Sequence, residues 1–188
     1  SWAWSEERLW KNLDEIAVVI ESLQPDLLLL QEVDFDATRT YHVDEMEFLR
    51  TYNGIDADTD SVFAVNYDSP FLFYPFIRPH GASRAGLLTR SALTIESGLR
   101  RSLPIETGVT KLVDLDRCYS VARLPVENGK TLCLYNLHLS AYTSDGKIAD
   151  EQLAMLLNDM QAEYENGNYV VGGGDFNKDL LGNSGEIF

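Results

Sequence analysis

The chain has 188 residues, a length that favours one domain with a hydrophobic core over two domains. Its 45% hydrophobic and 24% charged residues are typical of a globular protein and exclude a disordered chain, a collagen and a coiled coil. Thirty acidic against fifteen basic residues give a net charge of −15, which repels phosphate backbones at long range and argues against an extended nucleic-acid footprint.

The first half of the chain is expected to alternate helices with strands. Ser5 can cap an amphipathic helix that ends before Pro25, because apolar residues recur at helical spacing: Leu9, Leu13, Ile16, Ala17, Ile20 and Leu23. The apolar run 27–30, followed by Gln31 and Glu32, predicts a strand covered on both faces. A short helix and three strands are expected next, over 43–52, 62–66, 85–89 and 93–95.

The dipeptide Asn128-Gly129 separates two strand-like runs and predicts a β-hairpin. A two-residue turn there would set Cys133 opposite Leu124, so Cys133 would not meet Cys118. These two cysteines are also too few for a disulfide scaffold or a zinc ribbon.

Towards the end of the chain, the apolar positions of 147–164 predict a second amphipathic helix that ends at Gly167. A short strand over 169–172 leads into the glycine-rich segment 173–177. Helices that alternate with strands, together with the hairpin, indicate an α/β domain whose helices cover the faces of its sheets. No apolar run approaches the ~20 residues of a membrane span.

Three of the predicted strands turn polar at their carboxyl ends, at Glu32, His138 and Asp175. Ligands of α/β folds collect at such ends. Alternate residues of a strand share a face, so Asn136 should point the same way as His138. Asn177 should likewise point the same way as Asp175 if the chain stays extended.

These residue types suit a magnesium site. Glu32 and Asp175 offer hard oxygen ligands, and magnesium needs only one or two carboxylates beside water and substrate phosphate. His138 can donate a hydrogen bond to a phosphoryl oxygen, and Asn177 can orient the same group without adding charge. Structural alternatives stay open: Glu32 paired with an arginine, His138 as a satisfied core histidine, and residues 175–177 as an Asx turn. Spacing alone leaves the two interpretations evenly balanced.

Four blocks of the chain match, in order, the motifs of one known superfamily. They are a metal-binding strand, a strand with a GxxxLSR-like motif, a histidine strand and a GDFN element: PDLLLLQEV at 25–33, GLLTR at 86–90, YNLHL at 135–139 and GGDFN at 173–177. On these blocks the sequence resembles the endonuclease/exonuclease/phosphatase superfamily, which includes pancreatic deoxyribonuclease, inositol polyphosphate phosphatases and deadenylases. The blocks span most of the chain.

The resemblance implies an α/β (α+β) fold with two packed mixed β-sheets flanked by helices, a four-layer sandwich of the deoxyribonuclease-like type. The active site would lie where strand ends from both sheets meet. By the same resemblance, Glu32 holds magnesium or manganese and His138 contacts the scissile phosphate. Asp175 orients or activates the attacking water, and Asn177 holds a phosphate oxygen.

The resemblance also predicts that residues 1–188 form a single domain that is incomplete at both ends. The superfamily's first strand, which carries an active-site asparagine, would precede Trp2, and its closing Asp-His element would follow Phe188. We expect an internal piece of a longer protein, because losing both elements would expose core strands of a sheet.

The expected function is that of a magnesium-dependent phosphoric ester hydrolase, acting as a phosphodiesterase or a phosphatase on a phosphate-ester substrate. The acidic chain favours a small phosphoester or a phospholipid headgroup, although a nuclease stays open because a bound divalent cation attracts a polyanion locally. The alternative is a non-catalytic phosphohydrolase-like module that binds a partner or a phosphorylated ligand.

Partners and compartment are less constrained by the sequence. Arg84, Arg90, Arg100, Arg101 and Arg117 lack the interleaved aromatic residues of a nucleic-acid channel, so we expect them to be solvated at the surface. Two unpaired cysteines slightly favour the cytoplasm, and a secreted or anchored protein stays an alternative. The oligomeric state is left open.

Overall fold

The computed structural model describes five stretches of the chain: 3–52, 60–72, 81–105, 116–140 and 147–177. Their helices and strands follow in chain order: α1 Glu6–Leu23, β1 Leu27–Asp34, a 3-10 turn Thr38–Thr40, α2 Glu45–Thr51, β2 Asp60–Leu72, β3 Gly81–Ser91, β4 Ser97–Ser102, β5 Cys118–Pro125, β6 Thr131–His138, α3 Lys147–Glu165 and β7 Tyr169–Asp175.

The two long helices form where their periodicity predicts. The Ser5 hydroxyl accepts a hydrogen bond from the Arg8 backbone N–H at 3.2 Å, which satisfies one of the free donors at the start of α1. Gln24 ends this helix in the left-handed conformation, with φ of 44°. The buried face of α1 consists of predicted positions, namely Leu9, Leu13, Ala17 and Ile20. Helix α3 ends at Glu165, and Gly167 follows with φ of 85°, so the predicted end of this helix is confirmed.

The strands form two sheets that pack face to face. The first has the order β1-β3-β2 and is antiparallel, and the second has the order β4-β5-β6-β7 with a parallel pair β6-β7. The layer between the sheets is apolar, with Leu27, Leu29 and Val62 against Ala122, Leu124 and Leu134. Among the described strands, β1 and β7 are edge strands of their sheets.

Helices cover the outer faces of both sheets. Ile20 of α1 and Leu49 of α2 pack with Leu88 on the first sheet. Leu156 of α3 packs with Tyr135 on the second sheet. The order is therefore helices, sheet, sheet, helix, and the predicted four-layer α+β sandwich is confirmed.

The predicted hairpin register is wrong by one residue. Cys133 pairs with Arg123 and not with Leu124. The loop has three residues instead of two, because the Val126 N–H donates to the Lys130 carbonyl oxygen at 3.0 Å. Such a loop needs a left-handed residue before the second strand, and Gly129 supplies it with φ of 75°.

The two thiols do not meet, as expected. Cys118 faces the first sheet beside Ala64 and Leu87, whereas Cys133 faces α3. Both cysteines are buried and free.

The strand predicted over 93–95 is also wrong, since β4 begins at Ser97. The Leu93 N–H donates to the Ser91 hydroxyl at 2.9 Å, and the Ile95 N–H donates to the Asp60 carboxylate at 2.7 Å. Side-chain acceptors therefore occupy the donors that a strand would pair with a neighbour. The other predicted strands are present with longer or shifted bounds, and the short helix is present over the shorter range Glu45–Thr51.

No helix in the described stretches is both long and apolar enough to cross a membrane.

Candidate active site

Glu32 lies in a β-bulge of β1. Leu30 pairs with Leu88 of β3 while Val33 pairs with Gly86, so β1 carries one residue more than β3 at this point. Glu32 has φ of 55°, a left-handed conformation that few residues other than glycine adopt. Because the side-chain alternation shifts at the bulge, Val33 joins the core beneath the helices and the Glu32 side chain stays 57% exposed.

A polar clamp joins the end of β1 to β6. Gln31 Nε2 donates to Asn136 Oδ1 at 2.8 Å. Asn136 Nδ2 lies within 3.1–3.3 Å of three acceptors on the first sheet, the Leu30 and Leu88 carbonyl oxygens and Thr89 Oγ1. Asn136 is fully buried, so these contacts satisfy polar groups that water does not reach. The clamp holds the two sheets together beside the predicted site.

His138 and Asp175 are neighbours at the ends of the parallel strands β6 and β7. The two residues pair in register, and His138 Nε2 lies 3.8 Å from Asp175 Oδ2. The N–H of Leu139, the residue that follows β6, donates to the Asp175 carbonyl oxygen at 2.8 Å. The Asp175 side chain is 49% exposed, so its carboxylate faces both the buried imidazole and solvent.

The chain does not stay extended past Asp175. The Asn177 N–H donates to Asp175 Oδ1 at 2.8 Å, so the Asx turn considered from the sequence is present. Asn177 Nδ2 donates to the Leu139 carbonyl oxygen at 2.8 Å, which anchors this amide at the end of β6. Gly174 precedes the turn with φ of 142°, and a Cβ there would overlap the Leu137 carbonyl oxygen.

The environment of His138 favours the neutral imidazole. Burial lowers its pKa most, and the positive charge of Arg117 lowers it further, while Asp175 and Glu32 act in the opposite direction. Its Nδ1 atom is buried and has no hydrogen-bond partner among the described residues. The carboxylates of Glu32 and Asp175 therefore act electrostatically on the same imidazole.

Two arginines expected at the surface are buried instead. Arg90 and Arg117 are both nearly inaccessible to solvent. An Arg90 nitrogen donates to the Leu49 carbonyl oxygen at 3.1 Å, whereas Arg117 acts on His138. A charged residue next to a strand carries no sequence signal that separates a buried position from a solvated one, so the role of Arg117 was missed.

The arginine partner considered for Glu32 is also present. Arg39 lies in the 3-10 turn Thr38–Thr40, and its Nη1 atom lies 3.8 Å from Glu32 Oε2. The same guanidinium donates two hydrogen bonds to the buried carboxylate of Asp34, at 2.7 and 2.8 Å. Sequence reasoning did not single out Asp34 or Arg39, because their pairing depends on a turn of the chain between them.

A cavity of about 430 Å³ opens between α1 and β1 next to this cluster. Its polar lining includes Arg8, Asn12, Glu32, Arg39 and Glu45. Burial raises the pKa of the Glu45 carboxyl to about 7, even though its Oε2 accepts a hydrogen bond from the Asp34 N–H at 3.0 Å.

The donors present fit magnesium better than a metal that needs a closed protein cage. Across the described stretches, no three His, Cys, Asp or Glu side chains group closely enough to hold a metal ion by themselves. Magnesium usually takes one or two carboxylates and keeps several waters. The half-exposed carboxylates of Glu32 and Asp175 meet that requirement.

Comparison with solved structures identifies the fold. The chain matches an endonuclease/exonuclease/phosphatase family protein from Leptotrichia buccalis C-1013-b with a TM-score of 0.66 and 19% identity, over 98% of this chain and 67% of that one. The chain has the deoxyribonuclease-like fold of the endonuclease/exonuclease/phosphatase superfamily. The fold predicted from the four sequence blocks is therefore confirmed.

Two further matches extend this comparison. The human Nocturnin catalytic domain with bound sulfate has a TM-score of 0.59 and 18% identity, over 90% of this chain and 57% of that one. ANGEL2, a 2′,3′-cyclic phosphatase, has a TM-score of 0.58 and 20% identity, over 89% of this chain and 43% of that one. No family model and no curated protein matches the sequence. The chain spans between 43% and 67% of these three structures, and the roles of Glu32, His138, Asp175 and Asn177 stay predictions.

Proposed function

We propose that this chain belongs to a metal-dependent phosphoester hydrolase. The proposal is carried by one observation: His138 and Asp175 meet at the ends of β6 and β7, and the Glu32 carboxylate near the end of β1 acts with Asp175 to raise the pKa of that imidazole, although the three residues are far apart in sequence. Strand ends that bring half-exposed carboxylates and a buried histidine together suit phosphate chemistry. The superfamily fold supports the same reaction class.

Glu32 would hold the metal, and magnesium or manganese is proposed because the available ligands are carboxylate oxygens. When bound, the ion would lower the pKa of a water and neutralise charge that develops on the phosphoryl oxygens. Asp175 lies close enough to share that region and exposes its carboxylate to solvent.

The protein groups supply orientation and proton transfer. A neutral His138 has one N–H to donate, and the carboxylate of Asp175 near Nε2 favours the tautomer that carries the proton there. That N–H can point at a phosphoryl oxygen. Asp175 can accept a proton from an attacking water, since its Oδ2 faces the site while Oδ1 accepts the Asn177 N–H. Asn177 retains a second amide hydrogen for a phosphate oxygen.

The proposed substrate is a small phosphoester or a phospholipid headgroup. A net charge of −15 repels a long polyanion. The two arginines nearest the strand ends, Arg39 and Arg117, are largely buried and do not form an open basic track. ANGEL2 is a 2′,3′-cyclic phosphatase, which adds cyclic phosphodiesters to the substrates worth testing.

The test is hydrolysis of p-nitrophenyl phosphate and bis(p-nitrophenyl) phosphate by the protein with and without magnesium or manganese. We expect E32Q and D175N to lower metal-dependent turnover by about 100-fold or more, with melting temperatures within about 2 °C of the parent protein. The matched control is E47Q, which removes an exposed carboxylate of α2 that pairs with Arg50.

Two results would overturn this proposal. Equal turnover by E32Q and E47Q would remove Glu32 from the site. If neither ion supports hydrolysis or shifts the melting temperature at millimolar concentration, the non-catalytic binding module becomes the better function.

A further inference from the structure

The Arg39 side chain is fixed in place by a buried carboxylate. Asp34 is fully buried, and its two oxygens accept one hydrogen bond each from Arg39 Nε and Nη2, at 2.7 and 2.8 Å. Thr40 Oγ1 donates to the same carboxylate at 3.2 Å. This two-bond arrangement is specific to the planar guanidinium and sets the direction of its remaining nitrogen.

The remaining nitrogen of Arg39 is directed at Glu32. Nη1 lies 3.8 Å from Glu32 Oε2, and the Arg39 side chain is only 19% exposed. Glu32 needs such a restraint more than an ordinary strand residue, because it stands in a bulge with φ of 55° and a half-exposed side chain. A long carboxylate side chain in that position would otherwise sample several rotamers in water.

We propose that Arg39 is a positioning residue for Glu32. Anchored on Asp34, it holds the Glu32 carboxylate in the orientation that receives the metal. This inference rests on the proposed function and adds that Arg39 orients the Glu32 carboxylate before the ion binds. Such partners of metal ligands fix ligand orientation and typically change metal affinity by about 10–100-fold when they are removed.

A purely structural arginine predicts a different outcome. If Arg39 only neutralised Asp34, its loss would alter folding and leave the affinity for the metal unchanged. If it competed with the ion for Glu32, its loss would make metal binding tighter, because a positive charge would be removed from the site. Of the three roles, only positioning predicts that loss of Arg39 weakens metal binding, and it predicts this effect only while Glu32 is present.

The experiment measures binding of Mn²⁺ alone to the metal-free protein, by the electron paramagnetic resonance signal of the free ion. R39Q by itself leaves Asp34 as an uncompensated buried charge and can unfold the protein, so the informative variant is D34N/R39Q, which removes both charges together. We expect this variant to bind Mn²⁺ about tenfold more weakly than the parent protein. D34N alone keeps the guanidinium and should lose less than about threefold.

Dependence on Glu32 is tested by a double-mutant cycle. In an E32Q background, adding D34N/R39Q should change the Mn²⁺ affinity by less than about twofold, because the group that Arg39 positions is gone. The control R50Q makes the same substitution in an exposed pair with Glu47 and should leave Mn²⁺ binding unchanged.

The outcomes separate the two proposals. If the parent protein binds Mn²⁺ and E32Q weakens binding, but D34N/R39Q binds as tightly or more tightly than D34N, the positioning role is wrong and the proposed function stands. If the parent protein does not bind Mn²⁺, both are overturned.

Discussion

The clamp around Asn136 allows a prediction whose sign depends on pH. In N136D the side chain keeps its shape and can still accept the hydrogen bond from Gln31. It loses the Nδ2 donor that lies 3.2 Å from the Leu30 carbonyl oxygen and 3.1 Å from the Leu88 carbonyl oxygen. An ionised aspartate at this fully buried position would also face those oxygens as a like-charged group.

The magnitude follows from the number of carbonyls that lose a donor. Leaving a buried polar group unsatisfied costs about 1–3 kcal/mol, so two carbonyl oxygens give roughly 2–6 kcal/mol of destabilisation near neutral pH. Burial raises the pKa of the new carboxyl above the value it has in the unfolded chain, so as the pH falls the folded state takes up a proton before the unfolded state does. The protonated carboxyl donates one hydrogen bond and restores about half of the loss. N136D should therefore recover about 1–3 kcal/mol of its deficit as the pH falls from about 8 to about 5.

The assay is urea unfolding of N136D and the parent protein at both pH values. N128D is the matched control, because Asn128 lies exposed in the hairpin loop. Its Oδ1 accepts from the Lys130 N–H, which an aspartate can do equally well, and the Tyr169 hydroxyl that accepts from Nδ2 can rotate to donate to the new carboxylate. The reasoning is refuted if N136D loses less than about 0.5 kcal/mol near pH 8, or if its deficit relative to the parent protein is the same at both pH values.

Three further predictions concern other parts of the chain. Because burial raises the pKa of Glu45 from 4.5 to about 7, stability should fall as the pH rises through that interval, by about 2 kcal/mol after allowance for its partial exposure. Urea unfolding of E45Q should show a smaller decline, and an identical pH profile would contradict this. G174A should destabilise the fold by more than about 3 kcal/mol, whereas G129A should destabilise it by about 1 kcal/mol because the new Cβ there meets open space. Equal melting temperatures for the two variants would show that the turn at residue 174 can shift. Cys118 and Cys133 have pKa values raised to about 11 by burial, so neither should react with a disulfide reagent in the native protein at pH ~8, and fast labelling of either thiol would show that its strand opens.

Local signals in the sequence predicted the elements well. Helix α1 was defined by the spacing of its apolar residues, by the Ser5 cap and by Pro25, each of which acts within one or two turns of the helix. The start of β1 was equally clear, because an apolar run of strand length occurs directly before Gln31 and Glu32. These features are decided by neighbours along the chain, so a single sequence contains them.

Features that depend on distant partners were not predicted. The hairpin register could not be predicted, because it depends on the loop having three residues. A glycine at position 129 permits that loop but is equally compatible with a two-residue turn. The bulge that exposes Glu32 results from the pairing of β1 with β3, and no residue type in β1 indicates it. Arg39 was absent from the predicted site because its role depends on Asp34 being buried, which follows from packing and not from local pattern.

Two residues of the proposed site have unusual backbone conformations. Glu32 and Asn177 are two of the five residues other than glycine that have positive φ among those described. Such conformations cost about 1–3 kcal/mol each and persist only where surrounding contacts over-determine them. Here the contacts are specific: Asn177 Nδ2 is bonded to the Leu139 carbonyl oxygen, and Glu32 lies between the Asn136 clamp and the Arg39 guanidinium. Because these restraints come from the protein itself, we expect the proposed site to need no backbone rearrangement to bind a metal, so metal binding should raise the melting temperature without ordering the backbone around it.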